Sequence, residues 1–325
     1  MTKATPPVRT TLLADIGGTN ARFALLTNGK LSTIARTAVS DHATFPEALT
    51  AYLGDAAKGG TIQHAILAAS GAVQNGRCIL TNNSWVVDAG ELREAYGFSF
   101  VRLINDFEAV ALALPRLLPG SLLQLGGQER VAGAPLAAIG PGTGLGMAVT
   151  VPHGDDQIVL SSEGGHSTMA GGSLREDAVI AHLRQRFGHV SSERVLSGTG
   201  LENLHDTLAF LDGVTVPKRR SADITRAAIE GTCPVSRAAV EMFCAMLGSV
   251  AGNFALAVGA RGGMFIGGGI LRHMPEYLAA SQFRMRFEEK GRLKTFLEPV
   301  PAYLILDDDV AFTGLRALME IEGLD

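Results

Sequence analysis

Read as a pattern of apolar and polar positions, the chain begins with strands. After the polar lead-in MTKATPPVRTT, Thr11 to Ile16 is apolar apart from Asp15 and predicts a strand. Gly17-Gly18-Thr19-Asn20 predicts a turn, and Ala21 to Leu26 returns as a second strand, making a β-hairpin. Phe45 to Leu53 predicts a helix, and His64 to Ser70 a buried strand ending at Gly71. Thr81-Asn82-Asn83-Ser84-Trp85 is polar and reads as an Asx-rich loop. Phe100 to Ile104 predicts another strand, broken by Asn105 and Asp106, and Phe107 to Leu114 predicts a helix stopped at Pro115. Strands alternating with helices predict an α/β sheet up to about Pro115.

Pro115 to Gly120 is a candidate boundary. Beyond it, Ala137 to Ile139 leads into the glycine-rich run Gly140 to Gly146, and Met147 to Val151 follows as a strand. The spacing predicts helices over Arg175 to Phe187, Leu201 to Phe210, Ile224 to Ile229 and Val240 to Val258, the last with small residues fit for close packing. Gly263 to Ile266 predicts a short strand, then three glycines, then a helix from Ile270 to Ala280. Ala302 to Leu306 is the last predicted strand. After Asp307-Asp308-Asp309 a terminal helix, Val310 to Ile321, is placed to return to the first domain. The expected division is 1–115 with 308–325 against 116–307.

Chemistry gathers where these elements meet. A strand delivering Asp106 to the mouth of a helix is where open α/β sheets place ligands. Asp106 reads equally as an N-cap. Asn105 offers an alternative cap, with Glu108 at a capping-box spacing that would free Asp106. Asp15 is an acid one step inside an apolar strand, costly unless it meets a metal, a donor or water. Gly18-Thr19 with Phe23-Ala24-Leu25 matches Gly142-Thr143 with Met147-Ala148-Val149, so strand, glycine turn, strand occurs twice. Such turns present several N–H groups to one anion. The second lacks the third glycine of a dinucleotide fingerprint, Leu145 standing in its place, and no GxxxxGK[ST] occurs anywhere.

Ser162-Glu163-Gly164-Gly165-His166 brings an acid and a histidine over one tight turn. That pair suits a metal, acid–base chemistry or sugar hydroxyls; no third ligand stands at metal spacing, which argues against zinc. Gly188 to Gly200 reads as a solvated loop or as part of a site, and holds Glu193. Gly267-Gly268-Gly269 between strand and helix offers an anion or nucleotide a place to sit.

Composition narrows the class. The chain has 325 residues, 46% hydrophobic, and a net charge of −4, which argues against nucleic-acid or polybasic membrane partners. The apolar runs look shorter than the ~18 residues of a membrane span, and no signal-peptide core is expected at the start. Cys78, Cys233 and Cys244 have no metal spacing and read as reduced, buried thiols of a cytoplasmic protein. The 39 glycines cluster at a few points, where backbone is expected to approach a ligand closely.

Taken in order, ADIGGTNARFAL, TNNSW, INDF, GPGTGLG, EGGH, ERVLSGTGL and GGMFIGGGI resemble the bacterial glucokinases of the hexokinase superfamily. The resemblance implies an α/β, two-domain actin-like ATPase (ribonuclease H-like) fold with the active site in an inter-domain cleft. It implies closure on glucose, hinged near Pro115 to Gly120 and Asp307 to Asp309. It also implies phosphorylation of glucose at O6 by ATP with magnesium, in a homodimer. By position, Asp106 resembles the catalytic base, and Asn105, Glu163, His166 and Glu193 the glucose ligands, with Asn82 near them. Gly17, Gly18, Thr19 and Asn20 resemble one phosphate turn, and Gly142 and Thr143 the other. Asp15 resembles the acid that holds magnesium through water, and Gly267 and Gly268 the adenosine-side turn. The clustered cysteines of zinc-binding ROK sugar kinases are missing, as is an N-terminal helix-turn-helix. A kinase of mannose or an N-acetylhexosamine, and a catalytically silent sugar sensor, are the alternatives; an Asp106 beside two intact turns argues against silence.

Overall fold

The computed structural model describes residues 10–54, 62–80, 83–154 and 156–324. They divide into two compact units, Met1–Arg116 with Asp309–Asp325, and Leu117–Asp308.

The first unit begins with the hairpin of β1 (Thr10–Ile16) and β2 (Asn20–Thr27). β3 (Lys30–Leu31) and β4 (Ala35–Ala38) extend it from β2. Helix α1 (Phe45–Leu53) follows, capped by Thr44 and with Pro46 in its first turn. It buries Phe45, Ala48, Leu49 and Leu53 at the helical spacing the sequence shows. β5 (Ile62–Ala69) lies parallel to β1. β6 (Val73–Gln74), β7 (Arg77–Ile79) and β8 (Val86–Asp88) form a small antiparallel sheet. α2 (Ala89–Tyr96), capped by Asp88, leads to β9 (Phe100–Asn105), which pairs parallel with β5. α3 (Asp106–Ala113) starts directly at the end of β9. The main sheet therefore runs β3-β2-β1-β5-β9, with β4 on β2. Its three parallel strands end together, near Asp15, Ala69 and Asn105.

The second unit repeats the plan. β10 (Leu122–Gly126) is an edge strand; β11 (Leu136–Pro141) and β12 (Leu145–His153) form the second glycine hairpin, and β13 (Asp156–Ser162) pairs outside it. Then come α4 (Leu174–Phe187), α5 (Gly198–Leu211), α6 (Ser221–Ile229) and α7 (Pro234–Val258). β14 (Gly263–Ile266), the short helices α8 (Gly269–Arg272), α9 (Pro275–Ala280), α10 (Phe283–Glu288) and α11 (Lys294–Leu297), and β15 (Ala302–Ile305) complete it. The sheet order is β10-β15-β14-β11-β12-β13, and β14 lies parallel to β11 as β5 does to β1. The chain then returns to the first unit as α12 (Val310–Ile321), packed on α3, β1 and β5.

Three expectations need correction. The helix expected from Ile270 to Ala280 is two short ones, because Pro275 cannot continue α8 and instead opens α9. The helix after β9 does end ahead of Pro115, at Ala113, where the chain tightens into a 3₁₀ turn, Leu114–Arg116. α7 starts at Pro234, capped by Cys233, since its polar first turn carries no apolar period. At 25 residues α7 is also long and apolar enough to cross a membrane by length and composition, contrary to the reading of short runs. Most of it is buried in the core of the second unit.

A buried ion pair fixes the chain just beyond the EGGH segment. Arg286 of α10 meets Glu176 of α4 through two hydrogen bonds, at 2.7 and 3.0 Å, and Gly172 N–H donates to the same carboxylate at 2.7 Å. Both side chains are buried. Arg286→Leu leaves that carboxylate without its cation and is expected to lower the unfolding free energy by about 3–5 kcal/mol. Urea unfolding checks this, and Glu176→Leu/Arg286→Leu should be less damaging than either single change.

Candidate functional site

In the first unit the candidate residues stand at strand ends. Asp15 is buried at the end of β1, directly across from Arg22 of β2, and the two form an ion pair. Arg22 in turn faces Arg36 of β4. Asp309, just before α12, accepts from both guanidinium groups, at 3.2 and 2.7 Å. Burial raises the pKa of Asp15, the Arg22 charge opposes that rise, and the Asp309 charge adds to it.

Asn105 settles the capping question. Its Oδ1 accepts from Phe107 N–H at 2.8 Å and Glu108 N–H at 3.4 Å, while its Nδ2 donates to the Gly71 carbonyl at 3.0 Å. An amide nitrogen carries two N–H bonds, so one is left for another acceptor. Asp106 is therefore spared the cap and occupies the first helical position. Burial pushes its carboxyl up to about 7, helped by the Asp15 charge, against donors from Phe107 N–H and the Ser70 hydroxyl.

The first glycine turn is closed by Gly17 N–H donating to the Asn20 carbonyl at 2.9 Å. Its carbonyls are held from outside: Asn83 Nδ2 donates to Gly18 at 3.1 Å, and Val39 N–H to Thr19 at 2.9 Å. Thr19 and Asn20 are exposed at the tip. Asn82 lies outside the described residues. Its neighbour Asn83, read only as loop, is thus a support of the turn, with Trp85 N–H donating to its Oδ1 at 2.7 Å.

In the second unit, Gly142 N–H donates to the Gly144 carbonyl at 2.8 Å, and Thr143 is exposed at the tip. Gly198 N–H, opening α5, donates to the Gly142 carbonyl at 2.9 Å. Glu193, in a 3₁₀ turn, accepts from Leu145 N–H through Oε2 at 2.9 Å. Glu163 and His166 flank another 3₁₀ turn, with His166 N–H on the Glu163 carbonyl at 3.0 Å. Ser192 N–H donates to the Ser167 carbonyl at 2.9 Å, which ties the Glu193 and His166 segments together. Gly267 N–H donates to the Ile139 carbonyl at 2.8 Å. Gly268 has φ +95°, and a Cβ there would stand 2.1 Å from the Pro141 carbonyl oxygen, so only glycine fits. One unit thus gathers Glu163, His166, Glu193, the Gly142-Thr143 turn and Gly267-Gly268. The other gathers Asp15, the Gly17–Asn20 turn, Asn105 and Asp106.

Sequence reasoning missed Ser70, Asn83, Arg22, Arg36 and Asp309. Hairpin register from Asp15 would have pointed to Arg22; nothing local pointed to Asp309, which is distant in sequence. Among the described residues no group of three or more His, Cys, Asp or Glu side chains could hold a metal ion. Magnesium needs less, using one or two carboxylates with waters and phosphates. Asp15 and Asp106, the charge of the first opposing ionisation of the second, are a donor set that a divalent cation suits.

Paired glycine hairpins on two sheets of matching plan, each with its parallel partner strand, define the actin-like ATPase fold. A solved ROK glucokinase from Streptomyces griseus shares the fold at a TM-score of 0.65 and 20% identity, covering 95% of this chain and 98% of that one. The chain belongs to the glucokinase family, whose sequence model matches residues 12–321. It is 43% identical to a glucokinase of Paramagnetospirillum magneticum, over 95% of this chain and 97% of that one. It is also similar to the crystal structure of a glucokinase from an Antarctic psychrotroph, at a TM-score of 0.83 and 35% identity, over 96% of this chain and 99% of that one. The protein is an enzyme that phosphorylates glucose.

The Asp106 carboxyl has a consequence for stability. Its folded pKa of about 7 lies above the unfolded value of 3.8, so its contribution to stability is present at low pH and lost as pH rises between the two. Asp106→Asn removes that loss. Without nucleotide, the variant should melt above the wild type near pH 8, and the gap should close as pH falls toward about 4. Scanning fluorimetry across that range checks it; a gap independent of pH would contradict the raised pKa.

Proposed function

We propose that the protein transfers the γ-phosphoryl group of ATP to O6 of glucose, with Asp106 as general base. The observation that carries this is the state of Asp106: relieved of capping by Asn105 and raised to about 7, where a base at neutral pH works best. Asp106 accepts the O6 proton as the phosphoryl group arrives. Glu163, His166, Glu193 and the spare N–H of Asn105 bind the other hydroxyls; carboxylates accept from them, while the amide donates. A neutral polyol offers no charge to grip, so such groups must read it by hydrogen bonds.

The two glycine turns place N–H donors against phosphate oxygens, and Gly267-Gly268 supports the adenosine side. Phosphoryl transfer needs positioning and charge neutralisation more than covalent help. Asp15 would hold magnesium through water, and the ion would neutralise charge on the phosphates. That the Streptomyces griseus enzyme was crystallised with glucose and AMPPNP supports a nucleoside triphosphate donor. The family resemblance further supports a cytoplasmic homodimer.

Purified protein with glucose, ATP and magnesium is expected to yield glucose 6-phosphate, faster than with mannose or an N-acetylhexosamine. Absence of any sugar phosphate sinks the reading. Asp106→Asn should lower kcat about 10³-fold, roughly 4 kcal/mol, while glucose binding by calorimetry stays largely intact. Asn105 still caps α3 in that variant, so a near-normal kcat would place the base elsewhere.

A further inference from the structure

Leu145 sits between the segments that carry the sugar ligands. Its N–H donates to Glu193 Oε2 at 2.9 Å. Its carbonyl oxygen lies against Gly165, in the middle of the Glu163–His166 segment, where a Cβ would stand 2.1 Å away. One residue earlier, a Cβ on Gly144 would stand 2.5 Å from the same Glu193 oxygen. Gly144 also closes the phosphate turn, its carbonyl accepting from Gly142 N–H. Glu193 is itself fixed from behind, since Ser197 Oγ, at the cap of α5, donates to its carbonyl at 2.8 Å. Both Glu193 and the EGGH segment therefore rest on the peptide groups by which the chain leaves the phosphate turn.

We infer that Glu193 is a positioning residue for the Gly142–Leu145 turn as well as a sugar ligand, and that the Leu145 amide couples sugar binding to nucleotide binding. This rests on the proposed roles of Glu193 and of that turn. A carboxylate has two oxygens: Oε2 takes Leu145 N–H, and Oε1 is left for a sugar hydroxyl. A hydroxyl donating to Oε1 orients the whole carboxylate. Contacts this close leave no slack, so the orientation passes to Gly144 and Leu145. The coupling is reciprocal: nucleotide held by the turn must favour sugar to the same degree.

Calorimetry on the full chain tests this, with glucose and with ADP plus magnesium as probes, each alone and then with the other saturating. In the wild type, glucose should tighten ADP binding about fivefold or more. Glu193→Ala strips the acceptor from Leu145 N–H and should weaken both ligands by about tenfold. Glu193→Gln keeps an acceptor for that N–H; it should weaken glucose yet leave ADP within about twofold. Gly144→Ala, which alters no sugar ligand, should weaken glucose by displacing the carboxylate. The inference is overturned if glucose and ADP bind independently in the wild type, or if Glu193→Ala weakens glucose and leaves ADP unchanged. Those results leave the sugar role of Glu193 standing. If both Glu193 variants bind glucose normally, the sugar role itself fails. Should Gly144→Ala not fold, the two Glu193 variants decide the matter.

Discussion

Two carboxylates at the ends of β1 and β9 cannot both ionise freely in a desolvated space, and the first unit is arranged around that constraint. Burial penalises the charge of each, and the Asp15 charge raises the pKa of Asp106. The chain answers the two acids differently. Asp15 receives a cation, Arg22, directly across the hairpin. Asp106 receives neutral donors, from Phe107 N–H, Ser70 and its own N–H. One acid is thus compensated and the other left near neutrality, the separation of environments that assigns different chemical roles to like residues. The cation has its own requirement. Arg22 and Arg36 are neighbours across β2 and β4, and their mutual repulsion is relieved by Asp309. A residue nearly three hundred positions away in sequence thereby belongs to the electrostatics of the first hairpin, and its place at the start of α12 gives the returning helix a polar anchor beside its apolar packing.

The glycine hairpins show a second constraint. A glycine-rich tip whose side chains are exposed can bring N–H groups close to an anion, but it cannot fix itself by packing. In each unit the fixing comes from a side chain outside the hairpin. Asn83 holds the Gly18 carbonyl, and Glu193 holds Leu145 N–H. The two solutions differ in kind. An amide on a carbonyl is neutral and supports geometry alone. A carboxylate on an N–H brings charge, and with it a second oxygen able to meet a hydroxyl.

Much of this was legible along the chain. α1, β14 and α12 begin and end where the apolar period does, because amphipathic faces are local signals. The acids, glycine turns and EGGH segment were visible because polar residues are conspicuous inside apolar strands. What the sequence hid depends on contacts between distant segments. Residues 73–79 and 86–96 were assigned no element, since strands of two or three residues carry no period, and α2 is marked mainly by its Asp88 cap. β13 was missed for the opposite reason: it is an edge strand with a mostly exposed pattern. Asp309 looked like a linker acid because its partners are set by sheet register. Glu193 was read as a ligand but not as a support, for only the fold places Leu145 N–H within its reach.

The order of Asn105 and Asp106 carries more meaning than their presence. Asn and Asp cap helices about equally well, so exchanging them would leave α3 capped. The exchange would turn the acid toward the N–H groups of Phe107 and Glu108, where the helix dipole and two donors favour the anion. A carboxylate so stabilised is a weak base. In the observed order the amide takes those donors, and the acid shares only one of them, Phe107 N–H. Burial and the Asp15 charge then outweigh that bond and the donors from Ser70 and the residue's own N–H, and the carboxyl remains near neutrality. The basicity of Asp106 therefore depends on the residue before it having no charge to offer the helix.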